Sequence, residues 1–266
     1  MATTRLITSR SNPTVKALRA LSADAREQRR QGRTLLDGPH LVAAYLERVG
    51  RPERLLVSES GLADAEVRQL LAAIPATDVI EVSDGLFREI SGITTPVGLL
   101  AVIAIPEAPS ALAPGACVLL DAIQDAGNVG TIMRTAAAAG IGQVALGPGC
   151  AGAWTPRVLR AAQGAHFNLR ILEQADLLAI VQINGQDSIA AVARDGVPLY
   201  QLDLAGDVAW IFGNEGLGVS PALAALAARR ATIPMAAGSE SLNVAAAAAV
   251  CIFEGLRQQL LKRGKS

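Results

Sequence analysis

CVLLDAIQDAGNVGTIMRTAAAAGIGQVAL, residues 117–146, decides the fold class. An unbroken apolar run at 117–120 is followed by a polar, glycine-bearing turn. A helix-like stretch at 131–139 and a second apolar run at 143–146 complete the unit. Strands covered on both faces read as continuous apolar runs, and a strand–helix–strand order joins parallel neighbours. The pattern recurs downstream, with strand-like runs at 168–171, 188–192, 208–212 and 231–233. Helical stretches lie near 156–162, 175–183, 221–228 and 242–261. The expectation is an α/β fold whose C-terminal part is a mostly parallel sheet with helices on both faces.

Upstream, Pro106, Pro109 and Pro114 interrupt any helix or central strand, so residues 106–116 read as a linker between domains. Residues 32–105 hold a short apolar run at Leu35 and Leu36, helix-like 40–49, a strand at 54–58, a helix near 63–73 and strands at 79–82 and 98–105. This small α/β domain carries no phosphate loop and no His/Cys/carboxylate cluster, and it reads as a recognition module. Asn12-Pro13 followed by Val15, Leu18 and Leu21 starts a helix running toward Gly32, which makes residues 1–31 a basic helical arm. The boundaries expected are therefore 1–31, 32–105, 106–116 and 117–266.

Of the 266 residues, 51% are hydrophobic and 18% charged, which excludes general disorder. Aromatics are only 3%, so the core must be aliphatic and stacking platforms for bases are scarce. Charged residues, Gly or Pro interrupt every apolar run before the roughly 18 residues of a spanning helix, and Met1 to Arg10 lacks the apolar core of a secretory signal. A soluble, membrane-free protein is expected. Cys117, Cys150 and Cys251 are widely spaced and set in apolar sequence, the usage of a reducing, cytoplasmic compartment.

Lysine plus arginine balance aspartate plus glutamate at 24 each, yet the balance is uneven along the chain. Through residue 33, eight basic residues face two acidic ones. Arg26, Arg29, Arg30 and Arg33 are candidates to contact RNA phosphates, and a merely solvated helix face explains them as well.

Three segments stand apart from the Ala/Leu background, each just after an expected strand, where open α/β sheets place ligands. In the first, DAIQDAGNVGTIMRT (121–135), Gly127 and Gly130 allow close backbone approach. Asn128 offers donor and acceptor, and Arg134 lies four residues past Gly130. In the second, WIFGNEGLGVSP (210–221), a strand ends at Gly213, Asn214 and Glu215 follow, and Ser220-Pro221 starts a helix. In the third, IPMAAGSESLNV (233–244), Ser239, Glu240, Ser241 and Asn243 crowd a helix start, more polar groups than a cap requires. Ordinary turns and caps remain the competing explanation for each segment taken singly. No G-x-G-x-x-G follows a strand, and Walker, H-E-x-x-H and G-x-S-x-G patterns are missing. His40 and His166 read as structural. Dehydrogenase, phosphate-loop ATPase, zinc hydrolase and triad hydrolase chemistry are excluded as leading readings.

N-x-G-x-x-x-R-T-A, G-N-E-x-x-G and I-P-M-x-x-x-x-x-S-L-N-V, in this order, resemble the three motifs of SpoU-type (TrmH family) RNA ribose 2′-O-methyltransferases of the SPOUT superfamily. The detailed resemblance covers residues 117–261, and residues 32–105 are loosely similar to the family's substrate-binding domain. The chain departs from the family pattern at Ala237 and Ala245.

The resemblance implies a deep trefoil knot in the C-terminal domain and a homodimer through it. It also implies S-adenosylmethionine held by Gly213, Ile233, Met235 and Leu242, with no metal. It assigns Asn128, Arg134, Glu215, Ser241 and Asn243 to the catalytic site: Arg134 clamps a phosphate and stabilises the forming alkoxide, and Glu215 fixes Arg134 or a loop amide. A general base is not assigned. The expected activity is methyl transfer to a ribose 2′-hydroxyl, with ribosomal RNA favoured over transfer RNA. A non-catalytic RNA-binding protein or a small-molecule methyltransferase on the same fold are the alternatives.

Overall fold

The computed structural model describes residues 4–74, 77–93, 95–184, 187–236 and 241–264. The chain forms two compact units, Met1–Glu107 with Trp154–Phe167, and Ala108–Ala153 with Asn168–Ser266.

In the first unit the chain runs β1 (Thr4–Ile7), α1 (Pro13–Ala23), α2 (Ala25–Gln31), β2 (Arg33–Asp37), α3 (Pro39–Arg48) and β3 (Arg54–Ser58). It continues through α4 (Glu59–Ala63), α5 (Ala65–Ala73), β4 (Asp78–Val82), α6 (Asp84–Ser91) and β5 (Leu99–Ala104). The strands form one sheet in the order β1-β4-β3-β5-β2, with β1, β4 and β3 parallel and β5 antiparallel to both its neighbours.

Asn12 caps α1 by accepting from the Thr14 N–H at 2.9 Å, with Pro13 in the first turn. The helix expected to reach Gly32 instead breaks at Asp24. That residue is extended, and its carboxylate accepts from the Arg26 N–H at 2.7 Å and starts a new helix. The basic segment is thus no free-standing arm: Val15, Leu18 and Leu21 are buried in the core with Leu35, Leu56 and Phe87. An apolar helical stripe is covered, and the arginines stay on the outer face. Strand β1 and helix α6 have no counterpart in the sequence reading.

The second unit contains β6 (Cys117–Asp121), α7 (Ala126–Ala138) and β7 (Gln143–Leu146). The chain then passes through α8 (Pro156–Ala162), which belongs to the first unit, before β8 (Arg170–Glu173), α9 (Leu177–Asn184), β9 (Ser188–Ala191) and the two-residue β10 (Val197–Pro198). It ends with β11 (Ala209–Gly213), α10 (Pro221–Leu226), β12 (Arg229–Thr232) and α11 (Val244–Arg263). Seven strands, parallel throughout, lie in the order β10-β12-β9-β11-β6-β7-β8. Strands β6 and β11 occupy the middle, and Gly213 pairs with Asp121 at their carboxyl ends. From β6 the chain moves one way to β7 and β8, while β11 and β9 lie on the other side. That reversal opens a crevice at the strand ends.

Residues 154–167 fall inside the 117–266 stretch read as one domain, and their packing is with the first unit. The Thr34 hydroxyl donates to the Trp154 carbonyl at 2.6 Å, Arg160 lies 3.4 Å from the buried Asp37 carboxylate, and Tyr45 meets Phe167 edge-on with centroids 5.4 Å apart. Against the expectation of no long apolar helix, the 20-residue α11 holds an 18-residue window of mean hydropathy 1.3 and is long and apolar enough to cross a membrane by length and composition. Its inner face packs on α7, burying Ala248, Cys251 and Ile252.

Phe87 is fully buried at the centre of the first unit's core. Phe87→Ala is expected to lower that unit's unfolding free energy by about 4 kcal/mol in chemical denaturation, through lost transfer energy and an unfilled cavity.

Candidate active site

At the end of β6 the chain turns sharply through Ala122, a left-handed non-glycine residue with φ of 55°. Asp125 then caps α7, accepting from the Asn128 N–H at 2.8 Å. At the end of neighbouring β11, Gly213 is required. A Cβ there would lie 2.1 Å from both the Gly218 carbonyl carbon and the Val219 nitrogen, closer than any real contact. The loop beyond it closes on itself. The Asn214 side-chain oxygen accepts from the N–H groups of Gly216 and Leu217 at 2.9 and 3.1 Å, and the Asn214 carbonyl accepts from Gly218 at 2.8 Å. Two further bonds join this loop to the β6 turn: the Asn214 amide donates to the Ala122 carbonyl at 2.9 Å, and the Ser220 N–H donates to the Asp121 carboxylate at 2.7 Å.

Glu215 is surrounded by donors. Its carboxylate accepts from the Asn128 amide at 2.9 Å and from the backbone N–H groups of Asp125 and Gln124 at 3.3 and 3.5 Å. A carboxylate only accepts, so Asn128 must turn its Nδ2 toward Glu215 and its Oδ1 away. That oxygen accepts from Asn243 Nδ2 at 3.0 Å, and Asn243 Oδ1 in turn caps α11 through the N–H groups of Ala245 and Ala246 at 2.9 and 3.3 Å. Every donor and acceptor in the line is consistent, and one residue from each of the three motifs takes part. Desolvation pushes the Glu215 carboxyl upward, but the hydrogen bonds from the Asn128 side chain and the loop amides outweigh it and hold the group below the usual carboxylate range.

Beside this line lies a cleft of about 520 Å³ within the second unit. It is walled by Phe212 to Val219, by Ile233, Met235 and the stretch from Ser241 to Val244, and by Ala191, Val192 and Ala193. Gly213, Ile233, Met235 and Leu242, expected to hold a cofactor, all line it, as do Glu215, Ser241 and Asn243. Asn128 reaches the cleft wall through its bonds to Glu215 and Asn243.

Arg134 is not brought in. It is exposed on α7, it is not among the cleft residues, and its side chain has no hydrogen-bond or ion-pair partner among the described residues. In the first unit, Arg30 pairs with Glu27 and Arg33 with Glu53, while Arg26 and Arg29 are exposed. Sequence reasoning missed the wall formed by Ala191 to Ala193. The signal was available, since these small residues follow a strand at the same sheet end. Ala237, Gly238, Ser239 and Glu240 lie outside the described residues.

The model of the SpoU rRNA Methylase family matches residues 115–253. The chain belongs to this family. A second family model, the MRM3-like substrate binding domain, matches residues 12–101. Among SpoU relatives, the Bacillus subtilis (strain 168) 23S rRNA (guanosine(2553)-2′-O)-methyltransferase RlmP is 31% identical over 249 residues, covering 93% of this chain and 97% of that protein. The crystal structure of an RNA 2′-O ribose methyltransferase superimposes with a TM-score of 0.83 at 30% identity, covering 96% and 99% of the two chains. An AdoMet-bound rRNA methyltransferase from Sinorhizobium meliloti gives a TM-score of 0.80 at 26% identity, covering 96% and 98%. The expected α/β fold with a parallel C-terminal sheet is that of these SpoU structures.

Because the folded-state value for Glu215 is depressed, its stabilising contribution is complete above the ordinary carboxylate range and disappears as pH falls through the folded value. Glu215→Gln keeps one acceptor oxygen, so its NH2 must face either the Gln124 N–H or the Asp125 N–H and the Asn128 amide. It is expected to lower the thermal midpoint at neutral pH and to converge with the wild type in acid, followed by scanning calorimetry across the carboxylate range.

Proposed function

We propose that this chain transfers the methyl group of S-adenosylmethionine to a ribose 2′-hydroxyl of ribosomal RNA. The observation that carries this reading is the convergence of the three motifs on one cleft, with Gly213, Ile233, Met235 and Leu242 in its wall and the Glu215–Asn128–Asn243 line beside it. The names of the relatives, which act on rRNA, support the substrate. The cleft fits the donor: its volume lies in the range of about 300–1,000 Å³ typical of small-molecule sites. Its wall mixes apolar Phe212, Ile233 and Leu242 with polar Asn214, Ser241 and Asn243. When bound, S-adenosylmethionine supplies a methyl group on an electrophilic sulfonium.

The residues divide the remaining work. Glu215 has its oxygens taken by three donors, so it fixes the loop amides of 124–128; of its two expected roles, this is the one the geometry supports. Asn128 and Asn243 hold the starts of α7 and α11 together, and Ser241 adds a hydroxyl to the floor of the cleft. Methyl transfer builds negative charge on the attacking oxygen as the hydroxyl proton leaves, and a fixed cation stabilises it. A guanidinium stays charged at all relevant pH values, so Arg134 serves as a phosphate clamp and alkoxide stabiliser, with proton removal falling elsewhere.

An exposed Arg134 outside its own cleft supports a homodimer in which one protomer's α7 serves the partner's cleft. The exposed side chains Phe253, Leu260 and Leu261 on α11 support an apolar surface for that pairing. The knotted passage implied by the motifs belongs to the same proposal. Cys117, Cys150 and Cys251 are all free, which supports the proposal of a reducing, cytoplasmic setting.

Incubation with tritiated S-adenosylmethionine and rRNA from cells lacking this gene tests the function. Label resistant to alkaline hydrolysis at one 2′-O position is expected, and no incorporation into RNA overturns the reading. Arg134→Lys keeps the charge and loses the bidentate fork. It is expected to cut turnover about a hundredfold while leaving donor affinity by calorimetry near normal. Neutralising Arg26 and Arg29 together is expected to weaken RNA binding and to reduce the slope of log K against log salt by about 2. Arg30 and Arg33, already paired with carboxylates, should change it less.

A further inference from the structure

Asp121 is not among the residues that line the cleft, yet both ends of the cleft's 213–220 wall are fastened to it. Its main chain pairs with Gly213, where the wall begins, in the central β6–β11 ladder. Its carboxylate accepts at 2.7 Å from the N–H of Ser220, where the wall ends and α10 starts. Beside the bonds made by Asn214 and Glu215 within the loop, a single residue thus holds both of its ends, Gly213 through backbone and Ser220 through a side chain of fixed length. Hydrogen bonds to an ionised acceptor are roughly twice as strong as neutral ones. At Gly213 the loop folds back closely on its own start, its backbone lying where a Cβ would be.

We propose that Asp121 is a positioning residue for the methyl donor: it acts through the backbone of the 213–220 wall, and its side-chain length sets the width of the cleft. This rests on the methyltransferase reading above. Side-chain length is the discriminating variable. Asp121→Asn keeps the length and an acceptor; Asp121→Glu keeps the charge and the acceptor but lengthens the arm by one methylene; Asp121→Ala removes the tie. A role limited to general stability would tolerate Glu as well as Asn. Ser220→Pro removes the N–H, together with a hydroxyl that makes no capping hydrogen bond, at a residue whose φ of −57° already suits proline.

The test is calorimetric binding of S-adenosylmethionine to the full chain, paired with KM and kcat for RNA methylation. Asp121→Glu, Asp121→Ala and Ser220→Pro are expected to raise Kd and the donor KM about tenfold with kcat little changed, while Asp121→Asn stays near the wild type. Should Asp121→Ala fail to fold, Asp121→Glu and Ser220→Pro carry the same readout. A wild-type chain that binds no donor overturns the underlying functional reading. A wild type that binds, together with Glu and Pro variants that bind equally well or lose kcat at constant KM, overturns the role of Asp121.

Discussion

One carboxylate organises the site. Glu215 accepts three hydrogen bonds and can donate none, so its placement dictates the orientation of Asn128, and Asn128 dictates that of Asn243. Residues 128, 215 and 243 are far apart along the chain and share no secondary element, and the line of amides between them makes their three segments a single object. Networks of this kind are worth more complete than in parts, because each member left without its partner would strand a polar group. The line also ties two long helices at their starts, α7 at its first turn and α11 at its cap.

Around that line the backbone is held in conformations that few residues tolerate. Ala122 occupies the left-handed region although it has a side chain, and its carbonyl is thereby aimed at Asn214. Gly213 brings two stretches of main chain into contact without an intervening side chain. Local strain persists where surrounding bonds over-determine it, and such positions gather where a ligand must be met by backbone. Here the over-determination is visible: the loop after β11 is bonded to itself through Asn214 and to the β6 turn through Asn214, Glu215 and Ser220.

The strands of the parallel sheet were legible because their apolar runs are unbroken; 117–120, 143–146 and 208–212 match β6, β7 and β11 to within a residue. The N-terminal helix was read too long because residues 25–31, AREQRRQ, are good helix formers with no Gly or Pro before Gly32, and only the geometry shows the Asp24 carboxylate turning back to cap a second helix. Strand β1 was silent for a different reason: it is an edge strand, and exposed Leu6 beside buried Ile7 gives no alternation strong enough to see. At the site, the motifs gave Gly213, Ile233, Met235 and Leu242 as neighbours. They could not say that Glu215 is saturated by amides or that Arg134 stands apart, since both follow from which faces of α7 and of the 214–220 loop turn inward. Asp121 opens the first of the three segments and received no role from the sequence.

The excursion of residues 154–167 changes what kind of object the whole chain is. Polypeptide crosses from one unit to the other three times, at 107–108, 153–154 and 167–168, so the proline-rich stretch is one of three tethers. A protease nick there would cut the chain in two, and the pieces would stay together only through the non-covalent packing of residues 154–167 on the rest of the first unit. A fragment ending before the proline-rich stretch would lack the helix that covers β2, and would leave the Thr34 hydroxyl without its acceptor and the Asp37 carboxylate with the Ser91 hydroxyl but without Arg160. Exchanging the recognition half between relatives therefore demands three splice points, at 107–108, 153–154 and 167–168, rather than one.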